Sequence, residues 1–408
     1  MSDMSDLQAV VLCGGLGSRL GSLTAQTPKP LLPVGGKPFL ERQLFEIARH
    51  GVRRIILLAA YHADLVRQFA ERADFGPLSG LQIEVSVEPD RAGTGGALRN
   101  ALDRLDDAFL LFNGDSWFDI NILDLATRAR SMPEALAALA LREVPDSSRY
   151  GAVALEGPWI RDFRATGSAG EPGLVNAGVY AMKKELVAGL GPKSSLEHDC
   201  LPALARAGRL AGHRYDGFFI DIGTPETHAE AQHSVPARQR RPAVFLDRDG
   251  VINEDFGHVG HSENFVWRSG AIEMIKTFND LGWFVFVVTN QAGVAKGKYT
   301  EEDVDALHRH MRAELAMIGA YVDDIRYCPY HVDGIVARYA KESDWRKPEP
   351  GMILDLLDRW PVAIERSAMI GDKDSDMEAA RRAGVRGFKV ESDTRIETLK
   401  YQIVDACG

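Results

Sequence analysis

Hydrophobic and polar positions alternate in a way that starts the same kind of fold twice. Gln8–Cys13 is a short apolar run that breaks into the glycine-rich stretch Gly14-Gly15-Leu16-Gly17-Ser18-Arg19. Phe39–His50 and Asp64–Ala73 then carry apolar residues at helical spacing, and Arg53–Ala59, Leu81–Val87 and Ala108–Phe112 predict strands between and after them. Strand alternating with helix, with runs apolar on both faces, is the pattern of an α/β fold built on buried parallel strands. Ala108–Phe112 leads into Asn113-Gly114-Asp115, an acidic residue at a strand's C-terminal end, where such sheets place their chemistry.

A second alternating unit follows the polar, basic, proline-bounded stretch Val235–Pro242, which is expected to be a linker between domains 1–234 and 243–408. Its predicted elements are strand Ala243–Leu246, helix Gly270–Leu281, strand Phe284–Thr289, helices Glu301–Ile318 and Gly351–Trp360, strand Ser367–Ile370 and helix Asp374–Ala383. The glycine and aspartate patterns of the two halves differ, which argues against duplication. A length of 408 residues, 45% of them hydrophobic, is enough to fill more than one core.

Charge and cysteines narrow the classes. A formal charge of -10 and a pI near 5.6 leave no basic footprint for nucleic acid or an anionic membrane. The longest apolar runs, around Ile55–Ala60 and Trp283–Val288, are strand-length and too short to span a bilayer. Cys13, Cys200, Cys328 and Cys407 are not closely paired in sequence, and MSDMSDLQAV lacks a basic segment followed by a long apolar run, so a reducing cytoplasm is expected. No oligomeric state follows from the sequence.

In the second half, Val244-Phe245-Leu246-Asp247-Arg248-Asp249-Gly250 puts two carboxylates two residues apart just past a buried strand. One can attack phosphorus while the other donates and later recovers a proton. Phosphoryl transfer depends mainly on in-line placement and charge neutralisation, much of which Mg2+ can supply among oxygen ligands. Thr289-Asn290-Gln291 can hold a phosphoryl oxygen, Lys347 offers a point charge, and Asp372, after Gly371, can complete the metal site. Taken alone, the Asp-x-Asp pair could equally be a solvated acidic turn. Four elements in order, each at a strand end or loop, favour an enzyme.

These residues, in the stretches FLDRDGVIN, VVTNQAGVAKG, YCPYHVDG, WRKPEPGM and MIGDKDSDMEAA, make about 243–390 resemble the haloacid dehalogenase-like phosphatases, and within them the heptose 1,7-bisphosphate phosphatases. The resemblance implies a Rossmann-like domain with minimal cap, Asp247 as nucleophile and Asp249 as general acid/base. It also implies Thr289, Asn290 and Lys347 at the phosphate and Arg346 in substrate recognition, with Mg2+ on Asp247, Asp372 and the main-chain carbonyl of Asp249. Many relatives hold a structural zinc with a Cys-x-His pair and a later Cys-x-Cys pair. Here Cys328-Pro329-Tyr330-His331 and Glu342-Ser343-Asp344-Trp345 stand instead, short of a tetrahedral ligand set. No zinc is therefore expected, the loop being held by packing of Tyr330 and Trp345.

In the first half, Gly14 and Gly15 let backbone N–H groups approach an anion, and Arg19 and Lys29 can neutralise a leaving pyrophosphate. The stretch is not a Walker A loop, since no Gly-Lys-Ser/Thr closes it. Gly93-Thr94-Gly95-Gly96, preceded by Glu88, is a second close-approach loop able to contact a base or sugar, and Asp115 and Asp221 could share one Mg2+. VLCGGLGSRL, TPKPLLPVGGKPFLE, GTGGAL, NGD, VNAGVY, SLEHD and DIGTPE make about 8–233 resemble the sugar-1-phosphate nucleotidylyltransferases, and among them the D-glycero-α-D-manno-heptose 1-phosphate guanylyltransferases. That implies a Rossmann-like mixed sheet, triphosphate at Gly14, Gly15, Arg19 and Lys29, nucleobase near Gly95, magnesium on Asp115 and Asp221, and sugar at Asn176 and Glu197. Asn176 reads equally well as a turn residue and Glu197 as a helix-start carboxylate after Ser195. Asp162-Phe163-Arg164-Ala165-Thr166 lacks the Glu-Lys pair that such enzymes use for the sugar phosphate, so Arg164 or another base is expected to replace it.

Together the two resemblances imply a bifunctional enzyme acting on small sugar phosphates and a nucleoside triphosphate: the second half removes the 7-phosphate of a heptose bisphosphate and the first half makes GDP-heptose. A mannose-like 1-phosphate with another triphosphate, a phosphatase for histidinol phosphate, and one silent, nucleotide-sugar-binding half stay open as alternatives.

Overall fold

The computed structural model describes residues 7–15, 17–72, 80–89, 91–391 and 395–407. Leu16 of the glycine run and Ala73, the expected end of a helix, lie outside them. The chain divides into two compact units, Met1–Ala237 and Arg238–Gly408.

The first unit is built on a nine-stranded mixed sheet in the order Gln82–Val87, Arg54–Ala59, Gln8–Leu12, Ala108–Asn113, Gly173–Lys183, Ala137–Val144, Leu210–Arg214, Trp159–Arg164, Ala152–Glu156. Its first four strands are mutually parallel, and Gly173–Lys183 then enters antiparallel to both of its main neighbours. The parallel part places Gly14, Glu88 and Asp115 just beyond the C-terminal ends of three strands of one layer. A separate ribbon pairs Ser116–Phe118 with Phe219–Asp221 in antiparallel register, Asp221 facing Ser116. Trp117, Ile220 and Ile222 of this ribbon are buried with Phe39, Val34, Ala231 and Val235. That apolar anchor brings Asp221 beside Asp115 across more than a hundred residues of chain.

The segment expected to be a linker starts in a helix, since Val235–Gln239 completes the helix Pro225–Gln239 with Pro236 inside it. Proline removes the N–H that would bond to the Gln232 carbonyl. The helix is docked by side chains instead: Gln232 Nε2 donates to the Pro33 carbonyl at 2.8 Å, Gln232 Oε1 accepts from Gly35 N at 3.0 Å, and Ala231 and Val235 are buried one turn apart.

The second unit is a five-stranded, wholly parallel sheet in the order Asp324–Cys328, Phe284–Asn290, Ala243–Leu246, Ala368–Gly371, Arg386–Lys389. Helices Ala271–Asp280, Glu301–Met317, Gly351–Arg359, Asp374–Ala383 and Ile396–Cys407 accompany it. Thr300 caps the longest of these, its hydroxyl accepting from Asp303 N while the Asp303 carboxylate accepts from Thr300 N, which satisfies two otherwise orphaned donors. Between Asp249 and helix Ala271–Asp280 there is only loop and the short 3-10 turn Ser262–Asn264. No helix among the described residues is long and apolar enough to cross a membrane. All four cysteines are buried and free, and burial pushes the Cys13 thiol far above its ordinary value, so Cys13 behaves as a small core residue.

Candidate functional site

Each unit gathers its acidic residues around one lysine. In the second, strand Ala243–Leu246 is flanked by Phe284–Asn290 on one side and Ala368–Gly371 on the other, so Asp247 leaves the sheet where the strand order reverses. Doubly wound sheets open their ligand crevice at this switch point. Asp247 N donates to the Ile370 carbonyl at 2.9 Å, and Oδ1 accepts from Arg248 N at 2.8 Å and pairs with Lys347 Nζ at 2.9 Å. Lys347 Nζ also lies 2.7 Å from Asp376 Oδ1 and donates to the Val288 carbonyl at 2.8 Å.

Burial raises the Asp247 carboxyl above its usual range; Asp376 adds to the shift and Lys347 opposes it. Burial alone would lower Lys347, but the charges of Asp247 and Asp376 outweigh it and hold the ammonium above the ordinary lysine value. Asp372 is pushed up to about 6 by burial and then by the charge of Asp247. Its Oδ1 is buried without a hydrogen-bond partner. Asp247, Asp372 and Asp376 each offer an oxygen within 4.8 Å of the others, the only such group of three among the described residues. Three buried or half-buried carboxylates share two lysines, Lys347 between Asp247 and Asp376 and the more exposed Lys373 at 3.8 Å from Asp372, so they are short of positive charge, and an orphaned oxygen among hard donors fits a divalent cation. Gly250 leaves the space: with φ at +91°, it passes so close that a Cβ would fall 2.5 Å from Asp372 Oδ2.

The carboxylate of Asp249 lies outside this group, the expectation for it having concerned only its main-chain carbonyl. It accepts from Arg248 Nη2 at 3.0 Å on both oxygens, from Asn253 Nδ2 at 3.0 Å and from Gln291 Nε2 at 2.9 Å. Gln291, fully buried, also donates to Thr289 Oγ1 at 2.9 Å and accepts from Tyr299 OH at 2.7 Å. Thr289 is thus tied to Asp249 through one amide. Asn290, expected at substrate, instead clamps the main chain of Lys347, donating to its carbonyl and accepting from its N–H, each at 3.0 Å. Arg346 donates to the Tyr330 carbonyl at 3.3 Å.

In the loop expected to be held without zinc, Lys341 Nζ lies 4.4 Å over the Tyr330 ring, Tyr330 and Tyr339 stand 6.0 Å apart, and Trp345 packs against Gly351. His331 Nδ1 accepts from Asp333 N at 3.1 Å.

In the first unit, Lys29 is the shared cation: Nζ pairs directly with Asp115 Oδ2 and lies 3.9 Å from Asp221 Oδ2. Asp221 Oδ1 accepts from Gly223 N at 2.9 Å and from Arg149 Nη2 at 3.2 Å. Burial and the neighbouring Asp115 raise the Asp221 carboxyl. A Cβ on Gly223 would fall 2.4 Å from Asp221 Oδ1, 3.1 Å from Lys29 Nζ and 3.2 Å from the exposed Arg19 Nη2, so the glycine keeps open a cradle shared by all three. Two carboxylates beside such a gap suit Mg2+, which takes one or two protein carboxylates and completes its shell with water and phosphate. Gly14 lies against Glu88, whose Oε1 would be 3.0 Å from a Cβ there, while Gly15 faces open space.

The other residues expected at nucleotide or sugar have partners within the chain. Gly95 N bonds to the Ser194 carbonyl at 2.9 Å, and a Cβ on Gly95 would strike Ser194 Oγ, so packing within the chain accounts for that glycine. Asn176 donates to Tyr180 OH at 2.7 Å and accepts from Gly178 N at 3.2 Å at an irregularity in its strand. Glu197 accepts from Thr94 Oγ1 at 2.9 Å and Ser195 Oγ at 3.1 Å. Arg164 is exposed beside Asp162, 3.4 Å away, while Arg149 is the base that reaches the acidic pair.

Two residues escaped the sequence reading. Asp376 follows Asp372 by four residues, a spacing that could have marked it, but an acid in a helix's first turn has an ordinary explanation. Arg149 sits in a loop with no periodicity to draw attention to it.

Comparison with known proteins is consistent with this division. Residues 8–238 match the nucleotidyl transferase family model, and 344–403 match the HAD-hydrolase-like model. The chain is similar to a D-glycero-beta-D-manno-heptose-1,7-bisphosphate 7-phosphatase of Rhodopseudomonas palustris, 51% identical over 166 residues that cover 41% of this chain and 92% of that protein. It is also similar to a D-glycero-alpha-D-manno-heptose-1,7-bisphosphate 7-phosphatase of Burkholderia mallei, 43% identical over 143 residues, 35% of this chain and 76% of that protein. A crystal structure of a putative glucose-1-phosphate thymidylyltransferase from Bacillus anthracis shares the first unit's fold, with TM-score 0.50 and 21% identity over 56% of this chain and 95% of that one.

Proposed function

Because this chain belongs to the nucleotidyl transferase family through its first unit and to the HAD-like heptose bisphosphate phosphatases through its second, it is a bifunctional enzyme, and we propose that its two reactions are consecutive. The second unit removes the 7-phosphate of D-glycero-α-D-manno-heptose 1,7-bisphosphate, and the first joins the resulting 1-phosphate to GMP from GTP, releasing pyrophosphate. The observation that carries the reading is the pair of acid–lysine centres, Asp247–Lys347–Asp376 and Asp115–Lys29–Asp221, one in each unit.

In the phosphatase, a carboxylate oxygen of Asp247 attacks phosphorus, the bond to the sugar oxygen breaks, and Asp249 gives that oxygen its proton. Asp249 then takes a proton from the water that cleaves the aspartyl-phosphate. Lys347 offsets charge beside the nucleophile and the Thr289 hydroxyl can donate to a phosphoryl oxygen. Asp247 and Asp372 would hold Mg2+, which supplies charge neutralisation between the carboxylates and the incoming phosphate.

In the transferase, a phosphate oxygen of the sugar 1-phosphate attacks the α-phosphorus of GTP and pyrophosphate leaves; no covalent enzyme intermediate is needed, since proximity provides much of the gain. Gly14, Gly15, Arg19 and Lys29 hold the triphosphate, and Asp115 and Asp221 are the residues for magnesium. Arg149 takes the place at the sugar phosphate that the exposed Arg164 leaves vacant.

The test is product analysis with both anomers of the bisphosphate and each of GTP, ATP, UTP and CTP, following phosphate, pyrophosphate and nucleotide sugar. Asp247→Asn should abolish phosphate release and spare transfer from supplied sugar 1-phosphate, while Asp221→Asn should do the reverse. Loss of both activities in one folded variant would overturn independent centres, and a bisphosphate left untouched would overturn the order of reactions.

A further inference from the structure

Gln291 stands between strand Phe284–Asn290 and the short helix Ala292–Ala295, and its wholly buried side-chain amide faces four polar groups of the second unit. Its Oε1 accepts from Tyr299 OH at 2.7 Å and lies 3.1 Å from Arg248 Nη2. Its Nε2 lies 2.9 Å from both Asp249 Oδ2 and Thr289 Oγ1, two acceptors for the two protons that an amide nitrogen carries. Only one orientation of the amide satisfies these neighbours. Turned over, it would set its NH2 against the Arg248 guanidinium and its oxygen against the Asp249 carboxylate. Tyr299 is itself locked: a Cβ on Gly260 would fall 2.1 Å from its ring, and one on Gly293 would fall 2.2 Å from it, so two glycines form the slot that holds it.

The two groups on the nitrogen side are the ones that must meet substrate in a defined state. Thr289 Oγ1 accepts from Gln291, and among the described residues its hydroxyl donates to nothing. A lone pair is therefore turned toward the amide, and the proton is left for a phosphoryl oxygen. A hydroxyl free to rotate would instead set a lone pair against the phosphate in some of its orientations. Asp249 is gripped by Arg248, Asn253 and Gln291. The first two belong to its own loop, so Gln291 is the group that ties it to strand Phe284–Asn290 and to Thr289. A general acid works only within hydrogen-bond reach of the oxygen it protonates, and a misplacement of about 1 Å costs on the order of 100-fold.

We propose that Gln291 is a positioning residue of the phosphatase, its one amide fixing Asp249 for proton transfer and turning the Thr289 hydroxyl so that its proton faces the phosphoryl group. The proposal rests on the roles given to Asp249 and Thr289 above and adds the residue that sets them together.

The test measures phosphate release from the heptose 1,7-bisphosphate by the full chain. Gln291→Met, which nearly keeps the volume and removes both donors, should lower kcat by about 10- to 100-fold and raise KM by about 3- to 10-fold, the ranges of a lost charged and a lost neutral hydrogen bond. Repeated on Asp249→Asn, the same change should lower kcat less than about threefold, because the group it positions is already disabled. Repeated on Thr289→Val, it should leave KM within about twofold. A side chain that merely packs would cost the same factors in every background. Gln291→Glu keeps the shape but puts an acceptor where Nε2 was, so it should lower kcat at least as far as Gln291→Met does; a packing role would make it the milder of the two. Wild-type kcat in either variant, or equal factors in all three backgrounds, would overturn the assignment of Gln291. Unchanged kcat in Asp249→Asn itself would instead overturn the acid/base reading, and no phosphate release by the wild-type chain would overturn the substrate on which both rest.

Discussion

Asp376 offers a sharp test of how the phosphatase centre is held. Its Oδ1 lies 2.7 Å from Lys347 Nζ and its Oδ2 accepts from Lys373 N at 2.9 Å, so one carboxylate both pairs the lysine and caps helix Asp374–Ala383. Asp376→Asn removes the charge and keeps an oxygen for the cap. Breaking a buried pair by changing one partner costs about 3–5 kcal/mol when the other charge is left uncompensated. Lys347 retains Asp247 at 2.9 Å and the Val288 carbonyl at 2.8 Å, which places the loss lower, at roughly 1–3 kcal/mol. If that loss falls on the arrangement needed at the transition state, kcat for phosphate release drops by about 10- to 100-fold. Asp376→Ala loses the cap as well, a further ~1 kcal/mol of stability. The assay is steady-state phosphate release together with the urea concentration that halves phosphatase activity, with nucleotidyl transfer by the same preparation as reference. Wild-type turnover in Asp376→Asn would show that Asp376 does not steady Lys347, and equal urea midpoints for the Asn and Ala variants would show that it does not cap its helix.

Gly223→Ala should reduce nucleotidyl transfer at least tenfold and leave phosphate release unchanged, because the added Cβ would fall 2.4 Å from Asp221 Oδ1; parallel product assays decide it, and unaltered transfer removes the cradle from the site. Magnesium should stabilise the second unit more at about pH 7.5 than at about pH 5.5, since metal binding requires ionised carboxylates. The sign follows from Asp372: the folded chain takes up a proton there as pH falls through about 6, the unfolded chain only near 3.8, so in metal-free protein this group adds stability as pH falls between those values. Thermal unfolding with and without Mg2+ at the two pH values tests this, and an equal shift at both would rule Asp372 out as a ligand.

Most of the parallel framework was legible because its signals are local. Apolar runs such as Ala243–Leu246 and Phe284–Asn290 are buried on both faces, and chemistry at their ends follows from the geometry of parallel sheets. The antiparallel strands of the first unit, among them Ala152–Glu156 and Trp159–Arg164, mix exposed and buried positions and were not read. The helical character of Val235–Gln239 was not legible, because its prolines and charges outweighed two buried residues, Ala231 and Val235, one helical turn apart. At the sites, residues that carry a motif were found, whereas those acting across long separations were not. Asp376 and Arg149 matter through Lys347 and Asp221, contacts that only the folded chain creates.

The two centres share a device and differ in how tightly they fix it. In each, a nearly buried lysine stands between two aspartates, which makes a cluster of carboxylates tolerable in a site that must also admit phosphate. Lys347 is held on more sides: the Val288 carbonyl accepts from its ammonium as well, and Asn290 grips its main chain on both sides. A cation so constrained suits a mechanism in which the nucleophile beside it, Asp247, must stay in line while phosphorus moves onto it and off again. Lys29 has only Asp115 and Asp221 as partners among the described residues, leaving a proton of its ammonium for another anion. A cation with capacity to spare suits the other reaction, where charge accumulates on a pyrophosphate that must be met as it leaves.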